Sequence, residues 1–159
     1  MYNQNLSLVL TKTGVGVFTN IKIPANSIVL EFGGDLHDNK KIPQPEVLQI
    51  GPNYYLSPSG NIGDAVRHNC NPNCYLHIVG KRAFLYSTYV IEPNTEITFD
   101  YSTSSTDTLD SWTMQCNCGS FNCRKVISGL QYLDPLLQEE YKQKGIIPLF
   151  MITNIFMKK

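Results

Sequence analysis

The chain has 159 residues, 42% hydrophobic and 16% charged, enough apolar material for one domain with an ordinary core. Thirteen basic residues balance thirteen acidic ones, so the chain lacks the electrostatic footprint of a general nucleic-acid binder. Met1 is not followed by a basic and then an apolar run, and the apolar tail Ile146 to Met157 is too short and interrupted to span a bilayer; an intracellular protein without membrane contact is expected.

In chain order, Leu6 to Leu10, Gly16 to Thr19 and Ile28 to Phe32 are β-rich runs separated by the turn signals Gly14-Val-Gly16 and Pro24-Ala-Asn26. His37 to Asn53, rich in Pro, Asn and Lys, reads as a loop with one short helix. Tyr54 to Leu56, Cys74 to Val79, Arg82 to Ser87 and Ile97 to Phe99 resume the strand pattern, with a hairpin turn at Val79-Gly80-Lys81. Thr103 to Thr108 is a Ser/Thr/Asp-rich linker. Leu130 to Lys144 reads as a helix, with Asp134 as N-cap, Pro135 in first position and Gly145 at its end. The body is therefore mostly β, in small sheets, with a helix near the C-terminus.

The five cysteines are an odd count clustered in a way that suits a metal in a reducing compartment better than disulfides. Cys116, Cys118 and Cys123, spaced Cys-x-Cys-x4-Cys, place three sulfurs on one tight loop, and Cys70 in His68-Asn-Cys-Asn-Pro72 can supply a fourth. Four sulfurs with no open position make a structural zinc site; the bland alternative is a set of buried free thiols. Cys74 is left over as a buried thiol.

Several blocks occur together in order: Gly14-Val-Gly16-Val-Phe18, Ile28 to Asp35, Gly60-Asn61 through Asn73, Glu92 to Tyr101, and Cys116 to Cys123 followed by Arg124. In this order and spacing they resemble a SET domain with its post-SET zinc loop, the protein-lysine methyltransferase family. The resemblance implies a β-clip of small sheets around a threaded C-terminal segment. SET residues would run over 5–102 with a short variable insert near 35–53, the zinc loop over 112–128, and a C-terminal helical extension over 129–159.

It also implies S-adenosylmethionine and one structural Zn²⁺ as cofactors, and a protein or peptide partner presenting a lysine, a histone tail among them; the neutral charge argues against direct nucleic-acid binding. Tyr101 is the first catalytic candidate, orienting donor and amine. Phe99, two residues earlier on the same strand face, would line the lysine channel and leave room for di- or trimethylation. Tyr54, in preference to Tyr55, would supply another wall. Gly14, Val15, Gly16, Arg67, His68, Tyr101 and Cys118 would hold the cofactor, and Cys70, Cys116, Cys118 and Cys123 the zinc. Trp112 is a candidate lid for the pocket. Where the family carries Asn, Ser and Arg-Phe, this chain has Arg67, Asn69 and Asp64-Ala65. These departures motivate an alternative, a SET-like binding module without catalysis.

Overall fold

The computed structural model describes residues 2–38, 47–105 and 112–157. Part of the expected insert, the end of the Ser/Thr-rich linker and the chain ends lie outside the described residues.

Along the chain run β1 (Leu6–Thr11), β2 (Gly14–Thr19), β3 (Ile28–Phe32), β4 (Leu36–His37), β5 (Leu48–Gly51) and β6 (Tyr54–Leu56). There follow β7 (Arg67–His68), β8 (Cys74–Val79), β9 (Arg82–Ser87), β10 (Thr98–Phe99), β11 (Thr113–Gln115) and β12 (Val126–Ser128), then helices α1 (Pro135–Gln143) and α2 (Leu149–Phe156). They form small sheets: β1-β2, β3-β9-β8, β4-β6-β5, β10-β7 and β11-β12. All pairings are antiparallel except β7 with β10, where Arg67 faces Thr98 and His68 faces Phe99.

The strand readings agree with the structure to within two residues at their ends. The hairpin of β8 and β9 turns at Gly80, whose φ of 61° lies in the left-handed region that glycine enters without steric cost. Two sheets close on one core, where Val17, Leu30, Leu85 and Ile97 are completely buried and Phe99 nearly so. Asn73 holds this core to β10: its Oδ1 accepts from Thr98 N at 2.9 Å and its Nδ2 donates to the Glu96 carbonyl at 2.7 Å.

The C-terminal region departs from the expectation of one helix. Leu130–Tyr132 makes a single 3₁₀ turn, the chain extends through Leu133 and Asp134, and α1 begins only at Pro135. Pro135 is the cause, since a residue before proline is pushed out of the helical region; Asp134 has ψ 132°. Asp134 is nonetheless the N-cap, accepting from Leu136 N at 2.8 Å, and Gly145 at φ 65° follows the helix end. α2 follows Pro148 and buries Met151 against Leu130, Tyr141 and Ile147, making a second core under Tyr75. Of the stretch read as a loop with a short helix, the described residues contribute the end of β4 and all of β5, the latter hairpinned to β6; residues 39–46 lie outside the described residues. β11 and β12 close the base of the cysteine loop, with Cys116 N donating to Lys125 O at 2.7 Å. No helix among the described residues is long and apolar enough to cross a membrane.

Candidate functional site

The parallel pair β7-β10 brings the His68 and Tyr101 segments side by side. Tyr101 follows Asp100 directly after β10, in a 3₁₀ turn capped by the Asp100 carboxylate, which accepts from Ser102 N. Its hydroxyl donates to Val66 O at 2.8 Å and its amide to His68 Nδ1 at 3.1 Å. Burial raises the phenol's pKa, so it is protonated at neutral pH and acts as a donor, not a base.

Tyr101 is part of the wall of two cavities. One, of about 310 Å³, is mainly apolar and includes Phe32, Gly33, Leu56, Val66 and Phe99 in its wall. The other, of about 560 Å³, includes Thr13, Arg67, His68, Glu96, Met114 and Cys118. Phe99 sits edge-on to Phe32, with ring centroids 5.9 Å apart, and 5.0 Å from the Tyr101 ring. Two of the residues placed near this site by sequence thus share its first cavity, and Phe32, not singled out there, is the third ring.

Tyr54 stands elsewhere. Its ring lies under Lys81 Nζ, 4.4 Å away, and lines neither cavity; Tyr55 is buried at 2% exposure within the β4-β6-β5 sheet. The β1-β2 turn reaches the second cavity through Thr13. Gly14, Val15 and Gly16 are not in its wall, yet Gly16 is needed behind it: a Cβ there would lie 2.5 Å from Glu96 Oε1. That carboxylate accepts from Arg67 Nε at 2.6 Å, and Arg67 Nη1 donates to Thr13 Oγ1 at 2.7 Å. The Arg67 pKa is raised, chiefly by its hydrogen bond to Glu96, so the guanidinium stays charged.

Behind Tyr101 lies a buried carboxylate. Asp100, 2% exposed, accepts from Arg124 Nη1 at 2.6 Å, Arg124 Nη2 at 2.7 Å, Ser102 N at 2.9 Å and the Tyr141 hydroxyl of α1 at 2.8 Å. Burial alone would raise its pKa, but the Arg124 hydrogen bonds and charge prevail and hold it below the usual value. The cysteine loop and the C-terminal helix therefore meet on the residue that precedes Tyr101. Neither Arg124 nor Tyr141 was expected at the site from sequence.

The cysteines converge beside the second cavity. Cys116 Sγ lies 3.7 Å from both Cys70 Sγ and Cys123 Sγ. Sulfurs about 2.3 Å from one tetrahedral zinc are about 3.8 Å apart, so these spacings fit that ion. His68, Cys70, Cys116 and Cys118 offer donor atoms all within 4.8 Å of one another, a set that joins an imidazole to three of the four expected sulfurs and leaves out Cys123. His68 Nδ1 already accepts the Tyr101 amide, and Nε2 lies 3.1 Å from Cys70 Sγ. Burial pushes the His68 pKa down to about 4, with Arg124 adding to the effect against Asp100, so the ring is neutral and carries its proton on Nε2, facing Cys70. Cys70 N and Arg124 N point at the sulfurs of Cys118 and Cys70, at 3.5 and 3.4 Å, as donors to thiolates do. Trp112 is half-buried against Cys70, Cys116 and Ile127. Cys74 is a buried thiol whose pKa burial pushes well up.

A small mostly-β fold with one tyrosine between an aromatic and a charged cavity, beside a thiol cluster, defines a class that known proteins share. The SET domain profile matches residues 14–102, more than half of the chain, and the chain belongs to the SET domain family. It is 28% identical over 144 residues to a histone-lysine N-methyltransferase, H3 lysine-36 specific, from Chaetomium globosum, covering 79% of this chain and 16% of that protein. Histone-lysine N-methyltransferase SETD1B of Xenopus laevis is 37% identical over 131 residues, covering 71% of this chain and 7% of the relative. The crystal structure of KRYPTONITE in complex with mCHH DNA, an H3(1-15) peptide and SAH superposes with a TM-score of 0.64 at 25% identity, over 77% of this chain and 29% of that one. The chain thus spans only a small part of the curated relatives.

Proposed function

We propose that this protein is an S-adenosylmethionine-dependent protein-lysine N-methyltransferase acting on a histone or another protein. The observation that carries the reading is Tyr101, a single side chain walling both an apolar aromatic cavity and a larger charged one. Methyl transfer needs a donor and an amine that meet in line through a narrow opening. The names of the similar proteins and the SAH and H3 peptide in the KRYPTONITE complex support the same reading.

S-adenosylmethionine, when bound, supplies a methyl group on a cationic sulfur, transferred as that S–C bond breaks and the amine nitrogen forms a new one. The residues Thr13, Arg67, His68, Glu96, Tyr101 and Cys118 would surround it in the second cavity. A free lysine, with a pKa of about 10.4, is almost wholly protonated at pH 7. Phe32, Leu56 and Phe99 disfavour a charged amine by desolvation, and the proton leaves to solvent. The Tyr101 hydroxyl and the Val66 carbonyl orient the amine. Phe99, without a phenolic hydroxyl, leaves space for an amine that already carries methyl groups. Cys70, Cys116, Cys118 and Cys123 would hold the zinc, with His68 donating to Cys70 as the supporting hydrogen bond.

Two of the departures that motivated an inactive binding module, Asp64 and Arg67, have structural partners. Asp64 caps the preceding loop, accepting from Ser59 N at 2.8 Å and Gly60 N at 2.6 Å, and the Arg67 charge is matched by Glu96. The test is calorimetry with S-adenosylmethionine on zinc-replete protein, followed by transfer of labelled methyl to histone and total-protein substrates. Binding with transfer to lysine supports the enzyme; binding of neither donor nor product removes it.

A further inference from the structure

The second cavity contains a full ion pair. Arg67, on β7, and Glu96, two residues before β10, reach it from about thirty residues apart in sequence, with side chains 25% and 24% exposed. The pairing is built: Gly16 leaves room for the Glu96 carboxylate, Thr13 fixes the outer nitrogen of Arg67, and Asn73 holds the Glu96 main chain. A guanidinium has no evident place in a cavity that must accept a cationic donor. Taken alone, it repels the sulfonium and is indifferent to the neutral thioether left after transfer, so it favours product over substrate.

We propose that the Arg67–Glu96 pair is the specificity-determining element of this cavity: Glu96 cancels the Arg67 charge and thereby sets the preference for the sulfonium donor over its demethylated product. This inference rests on the methyltransferase reading. Both charges reach the reacting region. After burial, which is the largest influence on the Tyr101 phenol, Arg67 lowers its pKa and Glu96 raises it. The pair is partly exposed and so only partly screened, and each partner's charge is felt at the donor when the other is removed.

The experiment is calorimetric titration of the zinc-loaded full chain with S-adenosylmethionine and, separately, S-adenosylhomocysteine. In Glu96→Gln, which keeps the shape and an acceptor for Arg67 Nε, the ratio of donor to product affinity falls by roughly tenfold. In Arg67→Met the carboxylate is left alone and the ratio shifts the opposite way. The double variant, neutral again, returns close to the parent ratio, as a cycle of coupled charges requires. A Glu96→Gln protein that loses both ligands equally, or keeps the parent ratio, overturns the inference and leaves the methyltransferase reading intact. A parent protein that binds neither ligand overturns both.

Discussion

Tyr141→Phe isolates the link between the C-terminal helix and the site. The substitution removes one oxygen from a residue 4% exposed, whose hydroxyl donates at 2.8 Å to a carboxylate 2% exposed. Burial and the adjacent Asp100 charge both raise the Tyr141 pKa, so the phenol is a permanent donor. A hydrogen bond to a charged group contributes about 1.5–3 kcal/mol. Asp100 retains the two Arg124 bonds and the Ser102 amide, so the loss belongs toward the lower half of that range, about 2 kcal/mol. For a domain of this size that is a drop in Tm of about 4–8 °C. The assay is thermal unfolding of the zinc-saturated protein by circular dichroism, with Tyr132→Phe, half-exposed, as a control that should not move. Because Asp100 directly precedes Tyr101, kcat should fall while KM for donor and peptide stays near the parent value. An unchanged Tm together with an unchanged kcat would refute the argument that α1 supports the site through this bond.

Tyr101→Phe should lower methyl transfer by about 100-fold or more while zinc content is retained; transfer at the parental rate would show the hydroxyl to be idle. Gly34→Ala should cost more than about 3 kcal/mol, because Gly34 sits at φ 119° and a Cβ there would overlap the Ser57 carbonyl oxygen; a soluble variant with parental melting would contradict this. Cys118→Ser should lose stoichiometric zinc by elemental analysis and lower the melting temperature, and a full zinc complement in that variant would count against its sulfur as a ligand.

The long strands were legible because each carries its own signal. β8 and β9 are six residues each with a glycine between them, and β3 matches its sequence reading end to end. Two-residue pairings such as β7 with β10 have no periodicity to read; they exist because distant segments meet. Tyr54 is in neither cavity wall described above; alternation tells that two neighbours face opposite ways, not which cavity either face meets. Asp134 and Pro135 announced the true start of α1, yet the apolar spacing of Leu130 and Leu133 extended the reading across the break. α2 was missed since an eight-residue apolar segment after a proline reads equally as a buried strand. At the site, the cysteines, His68, Phe99 and Tyr101 were visible as motif members. Glu96 and Arg124 lay inside the motif blocks without a role, and Tyr141 lay outside them, because each acts on a partner remote in sequence: Arg67 in one case, Asp100 in the other two.

The Asn73 contacts have a bearing on alignment as well as place. A two-residue parallel pairing is too short to choose its own alignment, and a slip by one residue would turn Phe99 and Thr98 to each other's sides. Asn73, 6% exposed, measures the correct alignment with one amide, gripping Thr98 N with its oxygen and Glu96 O with its nitrogen. Its own carbonyl accepts from Thr88 N, beyond the end of β9. The Tyr101 segment is thus indexed against a hairpin whose own contacts are local in sequence. The side chain works as a gauge block, passing the geometry of that hairpin to the short strand that leads into Tyr101.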